Sequence, residues 1–177
     1  MKKLFLLVLT IVLLTACQNK PERFTTTSPN IDVIKKLVSD YEAGNWEAWA
    51  ANYSDSAKIY HNTWKKGATP EETSDALKAI LANTSSYGFD HGEDEIFFEQ
   101  TIDDDGETWV NFWGDWHGTL AANDQEIEIP VHLTCRMVDG KIQSEYGFYN
   151  VAEFQSALQA IDAEKAAAEE SSEETAM

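Results

Sequence analysis

The stretch Gln125-Glu126-Ile127-Glu128-Ile129-Pro130-Val131-His132-Leu133-Thr134-Cys135-Arg136-Met137-Val138-Asp139-Gly140-Lys141-Ile142 decides the fold. Apolar residues occupy every second position through Ile127, Ile129, Val131, Leu133 and Cys135, and Glu128, Pro130, His132, Thr134 and Arg136 fill the places between. That is the two-residue period of a strand with one face on a core. Asp139-Gly140 is a dipeptide that tolerates positive φ at both central positions of a two-residue hairpin, so residues 141–150 return as an antiparallel partner. Working backwards, Asn123-Asp124 turns the chain out of a long aromatic strand over residues 107–120. Asp103-Asp104-Asp105-Gly106 turns it out of another over residues 95–102. The second half of the chain therefore reads as an antiparallel meander beginning near residue 89.

The first half has the helical period. Ile31, Ile34, Leu37, Val38 and Tyr41 fall on one helix face, with Asn30 as the expected N-cap and Gly44 as a stop. A second helix over residues 46–53 puts Trp46, Trp49, Ala50 and Tyr53 together, and residues 57–62 read as a strand. Thr69-Pro70-Glu71-Glu72 has the pieces of a capping box with proline at the first helical position, and Leu77, Ile80 and Leu81 give that helix its apolar stripe. Residues 151–161 read as a short closing helix. Helices early and a long meander late make an α+β layout with the helices packed on one face of a curved sheet.

The two ends read differently. Lys2 and Lys3 precede an apolar run over residues 4–14, too short for the ~20 residues that span a bilayer, so the segment reads as a secretory signal. Leu14-Thr15-Ala16-Cys17 resembles the bacterial lipobox. That resemblance implies cleavage before Cys17 and a diacylglyceryl thioether on its sulfur, and further acylation would make the anchor durable. Under the same resemblance, Gln18 in place of the aspartate that retains such lipoproteins in the inner membrane implies an outer-membrane location in the cell envelope. Polar, threonine-rich residues 19–29 read as a tether. Residues 163–177, rich in Ala, Glu and Ser, are expected to pass from a frayed helix into disorder. The organisation expected is a signal peptide at 1–16, lipidated Cys17 and tether at 17–29, one domain at 30–155 and an acidic tail at 156–177.

Net charge is −18, and removal of Lys2 and Lys3 with the signal takes it to −20. Nucleic acid is excluded as a partner because its affinity rests on Lys and Arg, and a polybasic membrane patch is excluded likewise. With Cys17 acylated, Cys135 has no intramolecular partner and reads as a buried, inert thiol in its strand.

Three strings carry a resemblance to the nuclear transport factor 2-like superfamily, in particular its SnoaL-like branch. Tyr41-Glu42-Ala43-Gly44-Asn45-Trp46-Glu47-Ala48-Trp49 is similar to the family's helix–glycine–helix opening. Tyr53-Ser54-Asp55-Ser56-Ala57-Lys58-Ile59 is similar to the start of its first strand. Arg136-Met137-Val138-Asp139-Gly140-Lys141-Ile142 is similar to its late hairpin. The resemblance implies a cone, a bent sheet wrapped around the N-terminal helices with a pocket at the open end, and frequent dimers through the outer sheet face. It implies no single chemistry. Where isomerase-like members carry a carboxylate base, a tyrosine and an acid, this chain has His61, Leu37 and Leu133. Where cyclase-like members carry an acid on the last strand, it has Glu145, and the family's Tyr-Asp ending is Tyr149-Asn150.

Two candidate sets follow. His61 and Glu145, if both face the cone, form a base and its orienting partner, since an imidazole titrates near neutrality. Trp109, Trp113, Trp116, Tyr149 and His117 could line an aromatic pocket. Alternation puts Trp109, Trp113 and His117 on one face and Phe112 and Trp116 on the other, so both faces are apolar and the outer one is expected to be covered by a second copy. The chosen pocket set is Trp109, Trp113, His117 and Tyr149. His132 reads as surface or interface. The acidic runs at residues 90–95 and 103–106 lack calcium-loop spacing and read as turns, and no phosphate loop, metal pair or nucleophile elbow is present. No metal or cofactor is expected. The leading expectation is a membrane-tethered domain that binds a small apolar or aromatic molecule, an expectation that fails if no cavity of at least ~300 Å³ opens in the cone. An isomerase, cyclase or hydrolase using His61 and Glu145, and a dimeric envelope accessory protein, are the alternatives.

Overall fold

The computed structural model describes residues 23–92 and 95–175. Cys17 and the signal segment lie outside the described residues. The elements are β1 (Phe24–Thr25), α1 (Pro29–Glu42), α2 (Trp46–Ala50), β2 (Tyr53–His61), α3 (Pro70–Leu81), β3 (Thr84–Phe89), β4 (Ile96–Ile102), β5 (Thr108–Leu120), β6 (Glu126–Val138), β7 (Lys141–Tyr149) and α4 (Ala152–Thr175). Among them no helix is long and apolar enough to cross a membrane.

The alternation of residues 125–138 becomes β6, whose Ile127, Ile129, Cys135 and Met137 are buried. Asp139 and Gly140 both have positive φ, 50° and 72°, as a type I′ hairpin requires, and β6 and β7 pair from Val138↔Lys141 to Val131↔Tyr149. β5 and β6 pair along nearly their whole lengths, from Thr108↔Met137 to Thr119↔Glu126. The sheet order is β1-β4-β5-β6-β7-β2, with β3 on the same edge of β5 beyond β4. Every pairing is antiparallel except β2 with β7. The Thr69–Glu72 capping box forms as the sequence dictates, Thr69 Oγ1 accepting from Glu72 N–H and Glu72 Oε2 accepting from Thr69 N–H. The Thr69 N–H donating to the Glu72 carboxyl, and after it the Thr69 side chain, hold that carboxyl below its ordinary range.

Helix α1 lies across the inner face of the sheet. Ile31, Ile34 and Leu37 meet Val110, Phe112, Cys135 and Ile142 in one core cluster. A second cluster joins Leu120, Ile127 and Ile129 to Phe154, Ala157 and Ile161 of α4. Ile34 is fully buried, so truncation to alanine would cost ~2–5 kcal/mol.

Five boundaries differ from the sequence reading. The second helix ends at Ala50 instead of running to residue 53, and Tyr53 opens β2, so the strand starts before the expected residue 57. Ser28, not Asn30, caps α1, because Pro29 takes a first-turn position where a missing N–H costs nothing. Ser28 Oγ and Asn30 Nδ2 both donate to Gln100 Oε1, fastening the start of the helix to β4. Residues assigned to the tether are thus partly packed: Phe24–Thr25 adds a strand to β4. Residues 84–88, polar and without alternation, nonetheless form the body of β3. Finally, Phe154, Ala157 and Ile161 repeat at helical spacing and are buried, so the packed domain runs past residue 155 and α4 continues to Thr175.

Candidate functional site

The parallel pairing of β2 with β7 builds the site. Register sets Ile59 beside Glu145 and His61 beside Gly147, all on the inner face. A Cβ at position 147 would stand 2.6 Å from His61 Cδ2. The absence of that side chain lets the imidazole lie across the strand and reach back to Glu145. His61 Nε2 is 2.8 Å from Glu145 Oε1, and Tyr53 O–H donates to Glu145 Oε2 at 2.6 Å. Glu145 is 2 % exposed, so both oxygens of a buried carboxylate are met by donors. Since a carboxylate oxygen only accepts, Nε2 carries a proton, and in the neutral ring Nδ1 then presents a lone pair. Nδ1 has no hydrogen-bond partner among the described residues.

Burial, then the adjacent Glu145 charge, pushes the Tyr53 hydroxyl well above its ordinary value, and it remains a donor. Cys135 Sγ lies 3.8 Å from Glu145 Oε2, and the same two causes raise its thiol well above the usual range. It is a buried thiol, not a thiolate nucleophile. Tyr149 meets the His61 ring edge-on at 5.4 Å, and burial followed by Glu145 pushes its hydroxyl up to about 12. Asn62, with φ 53°, ends β2 and locks this corner: its N–H donates to Gly147 O and its side chain accepts from Tyr149 N–H.

These groups stand at one wall of a cavity of about 220 Å³ between α1, α3, α4 and the sheet. Leu37, Leu77, Val131, Leu133 and Phe89 make much of the rest. Exposed Ile80 and Gln155 mark its mouth, with Val151 and Leu158 beside them. Trp116 lines it too, its Nε1–H donating to Tyr41 Oη at 2.9 Å. Burial raises the Tyr41 hydroxyl above its ordinary value.

His61, Glu145 and Tyr149 are therefore brought together, whereas Trp109, Trp113 and His117 are not. They lie on the outer face. Trp109 Nε1–H donates to Asp103 Oδ2, Trp113 stacks on His132 at 4.6 Å, and His117 Nε2 sits 2.8 Å from Asp90 Oδ2. Alternation separated the two aromatic sets correctly, but the set facing the helices is the one containing Phe112 and Trp116. Tyr53 and Tyr41 open two of the family-like strings but had no expected site role, because their contacts are non-local: Tyr53 reaches Glu145 across 92 positions of sequence. Leu37 and Leu133 line the cavity as leucines. Asp103 organises its turn, accepting from the Asp105 and Glu107 N–H groups and from Trp109. Those bonds, Glu107 first, hold its carboxyl below the usual range.

No family model matches the chain, and no curated protein sequence does either. Solved structures do match. PrhC from Penicillium brasilianum aligns over 81% of this chain and 94% of its own with TM-score 0.61 at 15% identity. A candidate polyketide cyclase from Xanthomonas campestris pv. campestris aligns over 73% and 96% with TM-score 0.58 at 15% identity. An NTF2-like protein of unknown function from Burkholderia pseudomallei aligns over 72% and 95% with TM-score 0.55 at 13% identity. The chain has the nuclear transport factor 2-like fold, a curved, unclosed sheet around its helices. Identities this low fix the fold and leave the chemistry to the site.

Proposed function

We propose that this chain is a lipid-tethered domain of the bacterial cell envelope that binds a small, largely apolar molecule in its cone, with His61 as the polar group the ligand meets. The observation behind this reading is an apolar cavity with the buried Glu145–His61 pair at its wall. At about 220 Å³ it falls short of the ~300 Å³ asked of a drug-sized site, yet it exceeds a ~150 Å³ apolar cavity that takes benzene. The occupant is then a single-ring or branched molecule of roughly ten non-hydrogen atoms. Similarity to candidate polyketide cyclases supports a cyclic small molecule, and the three sequence strings support the SnoaL-like branch. The lipobox string supports acylation of Cys17 and outer-membrane location. Cys17→Ala should abolish palmitate labelling, and labelling that persists would refute the anchor. The aromatic outer face supports a homodimer.

The test is a panel of neutral single-ring compounds, benzyl alcohol among them, against the full-length chain. A ligand at 100 times its Kd should add ~2.7 kcal/mol of stability, and Leu133→Trp, which fills the cavity, should remove the effect. Failure of every compound, or equal binding by the filled variant, would sink the reading.

A second reading is favoured by one observation. Glu145 fixes the tautomer of His61 and leaves Nδ1 free, the arrangement of a general base and its orienter. Under it, the chain should speed deuterium uptake from D₂O at the acidic C–H of a small cyclic 1,3-diketone. His61→Gln should slow this ~10²–10⁴-fold, and an unchanged rate would leave binding alone.

A further inference from the structure

We infer that the molecule held in the cone is a small organic cation of the alkylammonium class, an inference that rests on the binding reading above and names its ligand. Six aromatic side chains line the cavity: Tyr41, Trp49, Phe89, Trp116, Tyr149 and Phe154. Aromatic rings carry negative faces that attract cations within ~6 Å of the centroid, most of all where water is excluded. Four of the rings are linked in a chain. Tyr41 contacts Phe89 at 6.1 Å between centroids, Trp116 donates to Tyr41, and Trp116 contacts Phe154 at 6.1 Å.

Charge points the same way. Among the described residues no lysine or arginine lines the cavity, and the one carboxylate that does is Glu145. Glu145 is met by Tyr53 O–H, His61 Nε2 and Cys135 Sγ, and among the described residues no lysine or arginine side chain reaches it. A carboxylate in an apolar wall, facing a space without a cation, is the partner a desolvated ammonium needs. The same wall repels carboxylate, sulfonate and phosphate ligands. Outside the cavity, the net charge of −18 raises the local concentration of cations and steers their approach. The volume of about 220 Å³ suits a trimethylammonium head with a short tail.

An isostere series tests this on the full-length chain by calorimetry: choline, its uncharged carbon analogue 3,3-dimethylbutan-1-ol, the anion 3,3-dimethylbutanoate, and benzyl alcohol. Choline should bind about tenfold more tightly than the alcohol, and the anion more weakly than both. Glu145→Gln can still accept from Tyr53 and donate to His61 in its other tautomer. In that variant the ratio of choline to alcohol affinity should fall to near one. Trp116→Leu, which leaves the polar trio intact, should cut choline binding more than alcohol binding, and it keeps the test open if Glu145→Gln fails to fold. Alcohol binding as tight as choline, or a choline preference undiminished in both variants, overturns the cation. Binding of benzyl alcohol without choline also overturns the cation while sparing the binding reading. Binding of none of the four, with the wider neutral panel also failing, overturns both.

Discussion

Replacing Gly147 with alanine should uncouple His61 from Glu145. The added Cβ would lie 2.6 Å from His61 Cδ2, 3.1 Å from its Nε2 and 3.2 Å from Leu133 Cδ2. Non-bonded carbons rest at ~3.5–4.0 Å, so the ring must retreat by about 1 Å. It cannot retreat freely, because Tyr149 flanks it at 5.4 Å. A retreat of that size stretches the 2.8 Å contact to Glu145 beyond hydrogen-bond range. Overpacking costs ~1–3 kcal/mol, and a buried carboxylate losing one donor costs a further ~1–3 kcal/mol. The sum expected is on the order of 2–5 kcal/mol. Chemical denaturation measures it, and long-range proton–nitrogen spectra of His61 report whether the Nε2 proton has lost its acceptor. Gly88→Ala is the control, since a Cβ there meets Glu42 Oε1 at an ordinary 3.5 Å. Wild-type stability with unchanged His61 resonances in Gly147→Ala would refute the claim that the glycine exists to admit the ring.

Other outcomes follow from the same geometry. Glu145→Leu strips the acceptor from two buried donors and should cost at least ~2 kcal/mol by denaturation, whereas Glu145→Gln should cost less and move the His61 proton to Nδ1. Tyr149 ionises near 10 unfolded and about 12 folded. The unfolded state therefore releases this proton first, and the contribution to stability, complete below pH 10, is lost as pH rises towards 12. Tyr149→Phe should flatten that part of the pH–stability curve, with the remaining slope coming from Tyr41 and Tyr53, which shift in the same direction. On the outer face Trp64, Phe97 and Trp113 are 71%, 46% and 38% exposed. Light scattering should give a dimer that Trp64→Ser with Trp113→Ser converts to monomer, and a wild-type monomer would remove the dimer face.

How much of this could be read from sequence depended on whether a signal was local. β6 declared itself because its side-chain period is two and its core face is apolar, and Asp139-Gly140 fixed the hairpin register because few dipeptides accept two positive φ angles. The α3 start was equally plain, since capping is a contact among neighbours. β3 was illegible: Thr84, Ser86 and Tyr87 pair with β5 through the backbone, around an irregularity at Ser85, which no side-chain pattern records. β1 was hidden by its length of two residues. The site was half legible. His61 and Glu145 stood out as ionisable residues on strands expected to face inwards, but their meeting needs the parallel β2–β7 pairing and the space at Gly147. The aromatic sets were separable by alternation and not assignable to a face by it, because both faces of β5 are aromatic and only the position of α1 and α4 says which is inside.

The measurement that bears most directly on the cone as a binding site is a set of intermolecular nuclear Overhauser contacts from bound benzyl alcohol. Contacts to the Leu37 and Leu133 methyl groups and to the His61 ring are predicted. Contacts to Trp113 and Phe148 on the outer face, with none to Leu37 or Leu133, would contradict it.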